Sequence, residues 1–191
     1  MSVGLVALVG LMLFMIHEFE EIVFIRPWLA TTEGRTDAHD MWSRRRGAYP
    51  STEAIALMIA EEFVLVGLIL GVAMAADWPE LVISAFIVHS LHLVVHLVDA
   101  ARARRWTPGS VTAFATLPVI AAVSWLFLGS SPINPGWVGA GTVIVAAIVL
   151  PNLLMLHHWA PRLDMIILRG YRSRLPEPAA NDLNPRHSSP M

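Results

Sequence analysis

Apolar residues fall along this chain in five stretches of about 20, the length a helix needs to cross the hydrocarbon core of a bilayer. They cover roughly residues 3–25, 52–75, 80–101, 109–129 and 136–158. Helix-start signals precede four of them. Ser51 and Thr52 stand ahead of the second, and Asp77, Pro79 and Glu80 resemble a capping box ahead of the third. Thr107-Pro108 and Asn134-Pro135 each place a cap residue before a first-turn proline, introducing the fourth and fifth. Pro118 and Pro151 lie inside the last two stretches, where proline is expected to kink a helix. The pattern predicts an all-α, polytopic membrane bundle of five transmembrane helices in one domain over residues 1–160. Residues 27–51 are expected to form a cytoplasmic loop, and the polar, Pro-rich residues 161–191 a disordered cytoplasmic tail. The first stretch has no basic leader and no small-residue cleavage site, which argues against a removable signal peptide.

Composition agrees with a membrane protein. Of 191 residues, 55% are hydrophobic and only 15% charged, where soluble domains carry about 25% charged residues. Thirteen basic residues against fifteen acidic ones argue against nucleic acid as a partner. With no cysteine, there is no disulfide framework, thiolate zinc site or iron–sulfur cluster.

All 13 basic residues are arginine. In a five-span topology every one falls on the same side, and the opposite loops around 76–79 and 130–135 hold none. The positive-inside rule makes the Arg-rich side cytoplasmic, with the N-terminus outside and the C-terminus inside. Trp28, Trp78, Trp106, Trp137 and Trp159 stand at span ends, as an interfacial aromatic belt requires. Gly67-x-x-x-Gly71 reads as a small-residue contact for close helix approach.

Ionisable residues within a span are costly and point to function. Here the first span holds His17, Glu18, Glu20 and Glu21, and the second Glu61 and Glu62. The third holds His89, His92, His96 and Asp99, and the fifth ends with Asn152, His157 and His158. His17, Glu20 and Glu21 are related by i, i+3 and i+4, and the third-span residues follow a 3-4-3 spacing, so each set shares a helix face. Depth is the sharper criterion. At 1.5 Å per residue, His17 lies about 13 Å from Arg26, His92 and His96 about 15 and 9 Å from Arg102, and Asn152 about 10 Å from Trp159. Glu61 lies a similar distance from the start of its span near Thr52. Four helices, three running one way and one the other, thus bring polar groups to one layer in the cytoplasmic half of the membrane.

Imidazole and carboxylate in such a layer suit zinc, iron or manganese. Shared Glu and His ligands from several bundle helices are the arrangement of di-iron carboxylate proteins. The expected ligands are His17, Glu20, Glu21, Glu61, Glu62, His89, His92, His96 and His157, with one of Glu61 and Glu62 facing inward. Glu20, Glu21 and Glu61 are the candidate catalytic carboxylates, while Asp99, Asn152 and His158 are expected to support the ligands. Glu18 also reads as a supporting group, and His39 and His187 as solvated bystanders.

The run His17-Glu18-Phe19-Glu20-Glu21 in the first span resembles the motif of the HXXEE family of bacterial membrane proteins. With Glu61-Glu62, the third-span histidines and the Asn152/His157 region, the resemblance extends over most of residues 5–160. It implies a functional core at His17, Glu20 and Glu21 and a bacterial inner-membrane location, and names no substrate. Three functions stay open. The first is a metalloenzyme, with two irons, oxidising a lipophilic or amphiphilic small molecule with electrons from a cytoplasmic reductase. The second is a zinc-dependent intramembrane hydrolase, although the H-E-x-x-H motif is missing. The third is a metal-ion or proton transporter. A chain this small is also expected to contact membrane lipid on most sides and to form a homo-oligomer.

Overall fold

The computed structural model describes residues 1–31 and 49–172, and these are helical apart from short connections. Five helices follow in order: α1 (Val3–Thr31), α2 (Thr52–Ala75), α3 (Pro79–Ala103), α4 (Ser110–Leu128) and α5 (Pro135–Arg172). All five are long and apolar enough to cross a membrane, and no strand occurs among the described residues. The protein is a multi-pass helical membrane protein. His39, His187 and most of the 27–51 loop lie outside the described residues.

Local chemistry explains the helix boundaries. The Ser51 hydroxyl accepts the backbone N–H of Ala54 at 3.2 Å, capping α2 as expected. Asn134 Oδ1 likewise accepts from Gly136 N at 2.9 Å at the start of α5. Two expected caps do not form. The capping box at Asp77 is absent: Trp78 is the cap residue of α3, without a side-chain bond. The Glu80 carboxylate instead accepts the Asn134 N–H at 3.0 Å, tying the starts of α3 and α5 together. Thr107-Pro108 stands before α4, whose cap residue is Gly109 with a positive φ of 83°.

The last helix runs on to Arg172, where a disordered tail was expected from residue 161. Packing accounts for the extension. Leu156, Ala160 and Leu163 cover Met58 of α2, and the Asp164 carboxylate accepts the Ser51 backbone N–H at 2.9 and 3.0 Å. Residues 173–191 lie outside the described residues.

Helix α3 touches all four others; α1 lies against α2, α3 and α4, and α5 against α2 and α3. One apolar cluster, including Val6, Leu70, Val82, Phe86 and Phe127, fills one end of the bundle. A second, made by Ile25, Trp28, Leu29, Ile55 and Ile59, fills the α1–α2 contact nearer the arginines. Along α1 the buried polar residues His17, Glu18, Glu20 and Glu21 lie between these clusters. The outer surface carries Phe19, Val64, Leu68, Phe114, Trp125 and Leu154, which suits contact with lipid tails.

The close approach expected at Gly67 and Gly71 does not occur, since nothing lies within 4 Å of where a Cβ would stand at either. Close approach occurs instead at Gly10, against the Phe86 ring of α3, and at Gly141 of α5, against the Ser84 side chain of α3.

Candidate metal centre

Helical spacing puts His17 and Glu21 on successive turns of α1, and His92 and His96 on successive turns of α3, facing one another. One ligand atom from each of these four residues lies within 4.8 Å of the others. Glu21 Oε1 is 3.0 Å from His96 Nε2 and 3.8 Å from His17 Nε2. His96 Nε2 is also 3.2 Å from His92 Nε2. Ligands 2.0–2.1 Å from a metal at tetrahedral angles are about 3.3 Å apart, so the 3.0, 3.2 and 3.8 Å contacts are near the edge length of a single coordination sphere.

The hydrogen bonds decide which ring nitrogens are available. His96 Nδ1 lies 3.2 Å from the Pro108 carbonyl, a group that only accepts, so Nδ1 carries the proton. Nε2 then turns toward Glu21 and His92, leaving one place for a proton or a cation among three electron-rich atoms. His17 Nδ1 lies 3.0 Å from the Thr112 hydroxyl. Its Nε2 is fully buried, has no hydrogen-bond partner and faces the same point. A buried imidazole nitrogen without a partner is costly in an apolar interior. Metal ligation would remove that cost.

Glu20, expected as a ligand, is engaged elsewhere. Its carboxylate accepts from the backbone N–H of Thr112 at 2.7 Å and of Val111 at 3.3 Å. It also accepts from the Thr112 hydroxyl at 2.5 Å and from the Trp106 indole at 3.1 Å. Adjacent helical residues point about 100° apart, so Glu20 turns toward α4 while Glu21 turns toward α3. At α4 it supplies the cap that Gly109, having no side chain, lacks.

The remaining expected residues lie at graded distances. The His89 ring centroid is 6.0 Å from that of His17 and 6.3 Å from that of His92. Its buried Nε2 has no hydrogen-bond partner, but His89 stands outside the four-residue group. Glu62 is half-buried, within electrostatic reach of Glu21 and of the buried Glu18. Glu61 is exposed and accepts from Asn152 Nδ2 at 2.8 Å. His157 is exposed, with Nδ1 on its own helix's Leu153 carbonyl at 2.9 Å, yet remains within electrostatic reach of His92. His158 is exposed, and Asp99 is buried one turn beyond His96.

The chain around the start of α4 has no acidic or histidine side chain to mark it, yet it contacts the site. Pro108 offers a carbonyl to His96, and Thr112 a hydroxyl to His17. Between them Gly109 allows the approach, because a Cβ there would stand 2.6 Å from His96 Nδ1 and 3.0 Å from His17 Cε1. Trp28 and Trp106, assigned to the aromatic belt, also serve here: the Trp28 indole donates to the Trp106 carbonyl at 3.2 Å, and the Trp106 indole reaches Glu20.

The family model described as "protein of unknown function with HXXEE motif" matches residues 8–123, more than half of the chain. The chain belongs to the HXXEE family. The four convergent residues and their α4 partners all fall within the matched segment, whereas the Asn152/His157 region of α5 lies beyond it. Within the motif of this HXXEE protein, the histidine and the final glutamate enter the four-residue group, and the first glutamate caps α4. No curated protein and no solved structure matches the chain.

Proposed function

We propose that this HXXEE protein is a metalloenzyme of the bacterial inner membrane that oxidises an apolar or amphiphilic small molecule at an iron centre. One observation carries the metal: the convergence of His17, Glu21, His92 and His96, with His17 Nε2 buried and unpartnered beside a carboxylate. Glu18 and Glu62 lie within electrostatic reach of Glu21 or of each other. Three carboxylates in an apolar layer repel one another unless cations or protons stand among them. Glu18, Glu21 and Glu62 would be the carboxylates available to hold a second iron. Carboxylate ligation at that second ion suits iron or manganese better than zinc. Dioxygen would be the oxidant, a cytoplasmic reductase would supply electrons, and the lipid-facing helices would admit the substrate from the bilayer. Oriented by its arginines, the protein would hold the centre in the cytoplasmic half of the membrane.

The ligand count favours a second reading. Three imidazoles would also hold zinc and leave its fourth position for water, with a glutamate, Glu21 or Glu62, as the general base of a hydrolase. Anaerobic purification in detergent, followed by metal analysis and ultraviolet–visible spectroscopy, separates the two. About two irons per chain with a spectrum that changes on exposure to O₂ supports the oxidase. Zinc alone supports the hydrolase. A folded protein that binds neither metal overturns both.

A further inference from the structure

Two ligand histidines are held from behind by one short stretch of chain, residues 107–112. Pro108 O accepts from His96 Nδ1, and Thr112 Oγ1 faces His17 Nδ1. The Thr112 hydroxyl has a single proton, and at 2.5 Å from Glu20 Oε2 that proton belongs to the carboxylate contact. Its lone pair is then turned to His17, so His17 Nδ1 must donate. The hydrogen-bonded order is Glu20 carboxylate, Thr112 hydroxyl, His17 imidazole and then the point where the four ligand atoms converge. A second set of bonds keeps the relay in place, since Glu20 also binds the backbone N–H groups of Val111 and Thr112.

We infer that Thr112, held by Glu20, is a positioning residue that fixes His17 in the tautomer needed for metal ligation, so that α4 is the outer shell of the centre. The inference rests on the metal reading above. Without the hydroxyl, His17 is free to carry its proton on Nε2, the ligating position, and that proton must move to Nδ1 before a metal binds. Partners of this kind typically change metal affinity by about 10- to 100-fold.

The test is a cobalt(II) titration of the metal-stripped, detergent-solubilised protein, followed through the cobalt visible bands. Wild type is compared with Thr112→Val, which keeps the shape and removes the hydroxyl, and with Thr112→Ser, which restores it. The expected result is a loss of cobalt affinity of about 10-fold or more in Thr112→Val, with shifted bands, and recovery of both in Thr112→Ser. Should Thr112→Val not fold, Thr112→Ala carries the same comparison, because alanine is the best helix former. Equal affinity and identical bands in wild type and the hydroxyl-free variant overturn the inference while leaving the metal reading intact. A wild type that binds no cobalt overturns the metal reading, and the inference with it.

Discussion

Glu20 of α1 caps the first turn of α4, its carboxylate accepting both the backbone N–H of Thr112 at 2.7 Å and the Thr112 hydroxyl. A buried cap of this kind supports the fold independently of any metal. Glu20→Ala is therefore expected to lower the stability of the metal-free protein by about 2 kcal/mol or more, because the helix N–H groups lose a charged acceptor. Thermal unfolding in detergent after metal stripping measures this. An unchanged midpoint would mean that the carboxylate does not support α4.

Gly109 holds a positive φ of 83° against the rings of His96 and His17. Gly109→Ala is expected to cost about 1–2 kcal/mol from the left-handed backbone alone. The added methyl must also displace the His96 ring, so metal binding should weaken beyond what stability explains. Chemical unfolding and metal titration of the same sample separate the two effects. Wild-type values in both would contradict the packing described around the histidines.

Glycines in α1 and α2 give a test of the bundle itself. At Gly10 a methyl group meets the Phe86 ring, whereas at Gly67 and Gly71 it meets nothing. Gly10→Ala is expected to destabilise the protein by about 1–3 kcal/mol through overpacking. Gly67→Ala and Gly71→Ala are expected to be neutral, or stabilising by up to about 1 kcal/mol through helix propensity. Loss of stability in the α2 variants would show that another surface packs there, a second copy of the chain included.

Orientation is testable because the chain has no cysteine of its own. Ser130→Cys in the arginine-free α4–α5 connection is expected to react with a membrane-impermeant maleimide on intact cells. Arg169→Cys is expected to react only after the membrane is opened. The reverse pattern would contradict an arginine-rich cytoplasmic face.

The five helices were legible because bilayer thickness imposes a length on apolar runs, and that signal needs no tertiary contact. His17, Glu21, His92 and His96 were legible for a related reason: charge in an apolar span is rare, and i, i+4 spacing assigns it to a face. Which neighbour of a pair turns inward was not. Glu20 and Glu21 differ by one helical step, and only the position of α4 makes the first a cap and the second a member of the site. The contribution of α4 was hidden because a carbonyl, a hydroxyl and a missing Cβ leave no trace in hydropathy or charge. The extension of α5 past Pro161 was obscured by nearby polar residues, and its stabilising contact, Asp164 with the Ser51 N–H, joins positions far apart in the chain.

The most direct test of the central claim is the metal content of the purified protein, measured for wild type beside His96→Ala and His158→Ala. The four-residue centre predicts about one tightly bound metal ion per chain or more in wild type, as expected for a ligand set shaped by the fold. It predicts loss of that metal in His96→Ala and retention in His158→Ala, whose histidine is exposed on α5. Metal-free wild type that is nevertheless folded, or metal that survives His96→Ala, would contradict it.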